Sequence, residues 1–581
     1  MSRIARLAVP VALVCCAPAA APPAPRGLAP KATASVESRP IVVEPTYAPT
    51  SSEAVASLDE HVWPPPRPAD DGAEEWVAYD RPWMRRIEGA PPTFYTTKVR
   101  PDPNRKAQVE VVALDARQLE LDMAIGAEGP WPPDEKTAGK WPRAGGKLPR
   151  DPAIATRVVV AFNGAFRLDQ NAHGMIIRRR TFAPVVKDVA SLFMHDDGRL
   201  GFGTLGPSMH VPEDVRSLRQ NLEPLLDGGG INPMGRKRWG GILKAKNQVG
   251  QRAKRSGICR TAGGHLLYLW GDAIEAQDLG TAMKKAGCDY GMHLDMNVLH
   301  IGFVFMSFDD AQYKVGKSEA LSNAMGITDK RYVHQPNPKE FFYATLRAPL
   351  SGPDASFVPD GQVQPPPTWM PAVLARTQGG VRVTFVDAHR VRFALTPGHD
   401  ERDAAGKRLL EATTPTPLGG EDAQRVLAAL DLGAASKDHP LGLVVSGKTL
   451  SKAAGASAAL VVDDRGRLTM AVGAPPDARW VAEADAIVVG GKALALPPEL
   501  SLAIGFTARG DLLIAEPAGT TTPAALVDAL LKAGCVRAVA PRGVGKLERA
   551  GRDPIASGGR GTRLFVLAEK PAEATYRFDR P

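Results

Sequence analysis

The chain has 581 residues, too many for a single hydrophobic core. Its 44% hydrophobic and 23% charged residues are ordinary for a folded soluble protein and exclude a wholly disordered or fibrous chain. The net charge of +9 is a mild excess at this length; no nucleic-acid-binding motif accompanies it, so nucleic acid is not an expected partner.

Residues 1–20 read as an export segment. Arg3 and Arg6 precede the short apolar run Leu7–Val14, and small residues follow at Ala17–Ala21. The run is too short to span a bilayer. Leu13-Val14-Cys15-Cys16 also matches a bacterial lipoprotein box, with Cys16 as the lipidated residue that would attach the chain to a membrane. Free secretion and lipidation both stay open, and either places the protein outside the cytoplasm or in the cell envelope.

Residues 21–80 are rich in Pro, Ala and Ser and predict a disordered tether, with order beginning near Trp76–Trp83. Residues 81–350 follow as a first domain. The Pro-rich stretch 351–372 predicts a stiff spacer, and 373–581 a second domain.

The two domains share three collinear blocks. Val109–Gly126 resembles Val381–Gly398; both alternate apolar and polar residues around Asp-Ala, which predicts a hairpin or strand pair. Arg157–Leu200 aligns without a gap on Arg425–Leu468. Ile258–Cys288 aligns on Ile504–Cys535, each predicting strand, turn, strand and an amphipathic helix. The helices are expected over Asp278–Ala286 and Pro523–Ala533, stopped by Gly287 and Gly534. The second domain therefore reads as a degenerate copy of the first, and the expected class is α+β with two tandem mixed sheets and few helices. Outside the export segment stand Cys259, Cys288 and Cys535. Cys535 matches Cys288, but the second copy has no counterpart of Cys259, so buried free cysteines are expected rather than a Cys259–Cys288 disulfide.

The first copy carries polar residues that the second lacks. Asn163-Gly164 faces Asp431-Leu432, Arg255-Ser256 faces Ser501-Leu502, and Asp295 faces Arg542. All lie at or near strand ends, where functional groups collect. His293 projects to the same side of a strand as Asp295, and with His173 or His300 the pair could hold a divalent metal. A histidine at a strand end is more often a hydrogen-bonded structural residue, so no cofactor is expected.

The ordered segments AFNGAF (161–166), ASLFMHDDGRL (190–200), EPLLDGG (223–229), KRSGICRTAGGHLLYL (254–269) and LGTAMKKAGCDYGMHLD (279–295) resemble the phosphodiester glycosidase family. That resemblance implies an exported hydrolase acting on a phosphodiester-linked or otherwise anionic glycan or sugar phosphate. It implies Asp295 as the carboxylate near the anomeric carbon, Arg255 as a phosphate clamp and Asn163 as a hydrogen-bonding partner. Gly164, Ser256, His293 and Asn297 are the expected substrate-binding neighbours. The chain departs from the family after Asp295: Met296-Asn297-Val298-Leu299 replace the glycines, so this loop must take another shape. The alternative is a non-catalytic envelope protein that binds glycans or serves a structural role.

Overall fold

The computed structural model describes most of residues 62–578; residues 1–61, 129–144, 241–250, 361–368, 399–417, 434–441, 472–477 and 579–581 lie outside the description, with some shorter stretches. The expected export segment and Cys16 fall there. Of the expected tether, residues 62–69 and 73–80 are described, and they dock on the first domain. Trp63 packs edge-on against Tyr95 and stacks on His265, while Val77–Ala78 pairs with Tyr95 and Thr96. Order thus begins before Trp76, because Trp63 finds an aromatic seat that composition cannot announce.

The N-terminal lobe contains β1 (Phe94–Val99), β2 (Val109–Leu114), β3 (Leu119–Ala124), α1 (Pro152–Ala155), β4 (Val158–Asn163), β5 (Met175–Ile177), β6 (Arg180–Ala183), β7 (Ala190–His195) and β8 (Leu200–Thr204). It continues with β9 (Val215–Gln220), β10 (Leu226–Asp227), β11 (Ala253–Thr261), β12 (Leu266–Ile274), α2 (Ala276–Lys285), β13 (Cys288–His293), β14 (Phe303–Phe308) and β15 (Phe341–Leu346). Three sheets result, ordered β1-β2-β12-β11-β13-β10, β8-β7-β9-β5-β6 and β14-β4-β15-β3, extended at some edges by further strands.

The C-terminal lobe contains β16 (Val373–Gln378), β17 (Val381–Val386), β18 (Val391–Thr396), α3 (Gly420–Gln424), β19 (Val426–Asp431), β20 (Leu443–Val445), β21 (Lys448–Ser451), β22 (Ala458–Val462) and β23 (Leu468–Ala471). Then come β24 (Trp480–Val489), β25 (Ala503–Thr507), β26 (Leu512–Pro517), α4 (Pro523–Lys532), β27 (Cys535–Pro541), β28 (Lys546–Arg549), β29 (Arg563–Ala568) and β30 (Thr575–Phe578). Its large sheet runs β16-β17-β26-β25-β27-β24-β20-β21, and its small sheet β18-β29-β19-β28. Strand for strand, these orders follow those of the N-terminal lobe. One difference stands out. The continuous β24 joins β20 and β22 on one half to β27 on the other, whereas in the N-terminal lobe its place is taken by two strands, β9 and β10. Between them the chain breaks at Leu222, which has φ +55°, and at Pro224.

The architecture is sheet-rich with few helices, and among the described strands the pairings are antiparallel except where β30 joins β8 in parallel. The expected hairpins at 109–126 and 381–398 do not form. β2 pairs with β1 and β12, whereas β3 pairs with β15 in another sheet. Asp115 marks a corner where its N–H donates to the Thr93 carbonyl. Alternation fixes which faces are buried but not which partner a strand takes.

The helix α2 begins at Ala276, two residues before the expected start, because the Asp278 carboxylate accepts the Glu275 N–H at 2.9 Å. Leu279, Ala282 and Met283 share its buried face against the sheet, and Gly287, with φ +84°, ends it.

Cys259 and Cys288 form a disulfide, with Cα atoms 6.0 Å apart, contrary to the expectation. They lie on the paired strands β11 and β13. In the C-terminal lobe Gly505 stands where Cys259 stands, and a Cβ there would come within 2.7 Å of Cys535 Sγ. The C-terminal lobe lacks one partner at this corner, which says nothing against pairing in the N-terminal lobe.

The last strand returns to the N-terminal lobe. β30 pairs with β8 from Thr575↔Leu200 to Phe578↔Gly203. Gly201 and Gly203 make room for it, since a Cβ at either would fall within 2.7 Å of Tyr576 or Phe578. Phe578 stacks on Phe193 at 4.4 Å, and Asp214 meets Arg465 and Arg467 of the C-terminal lobe at 3.1 and 3.3 Å.

Candidate functional site

The predicted residues converge where strands of all three N-terminal sheets end together. Asn163 closes β4, Ser256 lies in β11, and Asp295 follows β13. The Asn163 amide donates to Ser256 Oγ at 2.9 Å and to the Gly164 carbonyl at 3.0 Å. Ser256 Oγ donates to the Asp295 carbonyl at 2.9 Å, and the Asp295 N–H to the Gly164 carbonyl at 3.0 Å. Tyr268 Oη donates to Asn163 Oδ1 at 2.9 Å. Asn163, Ser256 and Asp295 are all buried. Gly164 is required here by space: a Cβ would lie 2.5 Å from the Glu340 carbonyl oxygen.

The Asp295 side chain is held from two sides. Oδ1 accepts the N–H groups of Met296 and Asn297 at 2.8 and 3.1 Å, and Oδ2 meets Lys339 Nζ at 2.5 Å. Burial pushes its carboxyl up from the ordinary carboxylate range; Lys339 and the two N–H groups oppose that rise. The loop after Asp295 takes the other shape its residues demand. None of residues 295–299 has positive φ, and Asn297 Oδ1 accepts the Leu299 N–H in a tight turn. Asn297 is exposed at the lip of this loop.

Arg255 is placed differently from an open phosphate clamp. Its guanidinium is 1% exposed and donates to the carbonyls of Ile274, Trp239 and Gln251. Burial lowers its pKa to about 10. A further N–H donates to His293 Nε2 at 3.1 Å. His293 Nδ1 lies against the Leu294 carbonyl, which can only accept, so the imidazole is neutral with its proton on Nδ1. Burial, reinforced by Arg255, holds the His293 pKa well below its usual value, in agreement. The ring stacks on Phe166 with centroids 5.8 Å apart. With both nitrogens engaged, His293 is not available to a metal in this arrangement. His173 Nδ1 accepts the Leu222 N–H, and among the described residues neither His173 nor His300 joins Asp295 in a metal-ligand group.

Sequence reading missed three charged residues. Lys339 is one. Arg219 and Glu340 are the others, a buried ion pair at 2.8 Å. Glu340 also accepts the Ala165 N–H, and Arg219 donates to the carbonyls of Gln220 and Phe166. Asn221, at the break after β9, donates to the His293 carbonyl at 2.6 Å. The one available signal was Arg219-Gln220-Asn221, three consecutive polar residues at the end of β9. Nothing in Pro338-Lys339-Glu340 announces a site.

At the equivalent strand positions of the C-terminal lobe the network is gone. Leu502 replaces Ser256 and Ile514 replaces Tyr268, both buried in the apolar core. Ala482 stands for Arg219 and Thr562 for Glu340. Gly561 stands for Lys339, and Arg542, paired with Asp485 at 2.9 Å, stands for Asp295. Both partners of each buried ion pair are absent together. The same strand order therefore forms without these two buried ion pairs. Burying ion pairs is costly relative to apolar packing.

No protein-family model matches the chain, and none of the curated proteins does. Among solved structures the chain is similar to the catalytic domain of a zebrafish N-acetylglucosamine-1-phosphodiester alpha-N-acetylglucosaminidase auto-inhibited by pro-peptide. The identity is 14% over 46% of this chain and 87% of that one, with a TM-score of 0.28. It is also similar to a hypothetical protein from Synechocystis, at 10% identity over 44% of this chain and 62% of that one, with a TM-score of 0.26. At these scores the likeness is weak and transfers no activity.

Proposed function

We propose that the N-terminal lobe is an exported hydrolase of the phosphodiester glycosidase type, acting on a sugar joined through a phosphodiester or another anionic glycan. The observation that carries this reading is the buried network around Asp295, which the C-terminal lobe lacks: Leu502, Ile514 and Ala482 stand for Ser256, Tyr268 and Arg219, and Arg542 for Asp295. Asp295 supplies the carboxylate that faces the positive charge developing at the anomeric carbon. Lys339 offsets the burial of that carboxylate and favours its ionised form. Asn163 and Ser256 fix the backbone of Asp295 through its carbonyl and through Gly164. Arg255 acts through His293 as a positioning residue. In this reading substrate enters past the exposed turn Asn297–Leu299, whose first residue donates its N–H to the carboxylate.

The C-terminal lobe is a degenerate second copy in this reading. It serves as a scaffold for the first lobe, which its last strand completes, or as a glycan platform. The chain is exported by residues 1–20, with membrane attachment at Cys16 if that residue is lipidated. A second reading, a non-catalytic envelope protein, is favoured by one observation: Asp295 is 1% exposed and already paired. The deciding assay is release of N-acetylglucosamine from UDP-N-acetylglucosamine or from a sugar-1-phosphodiester. Activity in the wild type that is lost in Asp295→Ala supports the hydrolase. Inactivity of the wild type across a panel of anionic sugar substrates sinks it.

A further inference from the structure

A second cluster of chemical groups lies in the C-terminal lobe, away from Asp295. Strands β17 and β26 pair in antiparallel register with Val386 opposite Leu512. That register brings the residue after β17, Asp387, beside the residue before β26, Asp511. His389 completes the group from the turn that follows Asp387. One carboxylate oxygen from each aspartate and one ring nitrogen of His389 lie within 4.8 Å of one another. Asp511 is 2% exposed, and its Oδ1 has no hydrogen-bond partner. Its other oxygen accepts Thr507 Oγ1 at 3.1 Å.

The N-terminal lobe shows what fills this corner when it is closed. There the equivalent positions hold Asp115, Arg117 and His265. The Arg117 guanidinium binds Asp115 through two bonds of 2.9 and 2.8 Å, and His265 Nε2 is bonded to the Val62 carbonyl. The C-terminal lobe has exchanged that fixed cation for an imidazole and added a second buried carboxylate. Two arginines remain at the margin. Arg390 Nε is 3.3 Å from Asp387, and Arg509 Nε is 3.6 Å from Asp511. The Arg509 side chain is 69% exposed, which makes it a weakly held counterion. Asp387 and His389 also line a crevice of about 410 Å³.

We propose that Asp387, His389 and Asp511 form a divalent-cation site in the C-terminal lobe, of the imidazole-plus-carboxylate type that suits Zn²⁺. One nitrogen and two carboxylate oxygens supply three ligands, and water from the crevice completes the coordination. An all-oxygen cation such as Ca²⁺ would gain nothing from His389. The test is calorimetric titration of the chelator-stripped full chain with ZnCl₂, with bound metal counted after dialysis. One Zn²⁺ per chain is expected. His389→Ala and Asp511→Asn should each weaken binding by at least about tenfold. Arg509→Gln should tighten it, because a competing cation is removed. His334→Ala, an exposed histidine elsewhere, should leave it unchanged. If Asp511→Asn does not fold, His389→Ala and Arg509→Gln decide. Absence of saturable Zn²⁺ binding in the wild type, or wild-type affinity in His389→Ala, overturns the proposal.

Discussion

Lys339 Nζ lies 2.5 Å from Asp295 Oδ2, and both side chains are buried. The two residues enter from different sheets, one just before β15 and the other just after β13. In the C-terminal lobe Gly561 and Arg542 occupy the corresponding strand positions, and no buried pair forms between them.

Removing Lys339 while keeping Asp295 strands a buried carboxylate. Lys339→Met should lower stability by about 3–5 kcal/mol, and Lys339→Met with Asp295→Asn should recover part of that loss. The pH dependence has a definite sign. A carboxyl whose folded pKa lies above its unfolded value holds more protons in the folded state. Stability then falls as pH rises through that range, and Lys339→Met should steepen the fall. Urea unfolding between pH 4 and 8 reads both effects; a flat difference across that range would show that Asp295 is not the group being uncovered.

Asn163 is the hub of the neutral part of the network. Asn163→Ala leaves Ser256 Oγ without its donor and removes the acceptor of Tyr268 Oη, at a cost of about 1–3 kcal/mol. The equivalent Asp431→Ala should cost less, since the Asp431 side chain accepts the Gly433 N–H of a half-buried turn. Thermal denaturation of the two variants compares them directly, and equal losses would remove the asymmetry on which the hydrolase reading rests.

Gly164→Ala should be poorly tolerated although its φ is not positive. The added methyl meets the backbone oxygen of Glu340, which cannot swing aside as a flexible side chain would. Overpacking of this kind costs about 1–3 kcal/mol and should displace Asp295, whose N–H bonds the Gly164 carbonyl. Gly235→Ala, with φ +66° and open space around it, isolates backbone strain from collision as a control. A smaller loss for Gly164→Ala than for this control would count against the close approach.

The Cys259–Cys288 bond closes a 29-residue separation, which corresponds to roughly 3–4 kcal/mol of stabilisation in the chain-entropy account. Reductant should lower the melting temperature of the wild type and leave Cys259→Ser with Cys288→Ser unaffected. In the C-terminal lobe, Gly505→Cys should form the missing bridge with Cys535, detected as loss of a titratable thiol. A thiol that persists in Gly505→Cys under oxidising conditions would refute the equivalence of the two corners.

Asp214 binds the lobes together. Burial acts to raise its carboxyl pKa, but His195, Arg465 and Arg467 outweigh burial and hold it well below the usual range. Arg199 lies 3.9 Å away on the same side, and Tyr576 Oη bonds the far nitrogen of His195. A depressed folded pKa contributes stability above the unfolded value near 4 and loses it as pH falls further. Wild type should therefore lose more stability than Asp214→Asn between pH 5 and pH 2, measured by denaturant unfolding. Parallel pH profiles would assign the acid sensitivity elsewhere.

Local pattern was enough to mark the strands of the three matched blocks, the helices ending at Gly287 and Gly534, and Asn163, Arg255 and Asp295 as residues of the first set of blocks that differ in the second. Those features rest on alternation, helical spacing and glycine stops, all written in consecutive residues. Partnership was not legible. The strands flanking Asp115 separate into two sheets, because alternation specifies a face and not a neighbour. Cys259 bonds Cys288 although the C-terminal lobe has Gly505 at the corresponding strand position. Arg255 turns inward to carbonyls and His293, since the loop ends around it bury its guanidinium. Lys339 and Glu340 reach Asp295 and Arg219 only when β15 is laid beside β4. Charge and residue type are properties of the chain, but burial and partner distance, which decide whether a carboxylate is a solvated surface group or a tuned one, arise only when the three sheets meet.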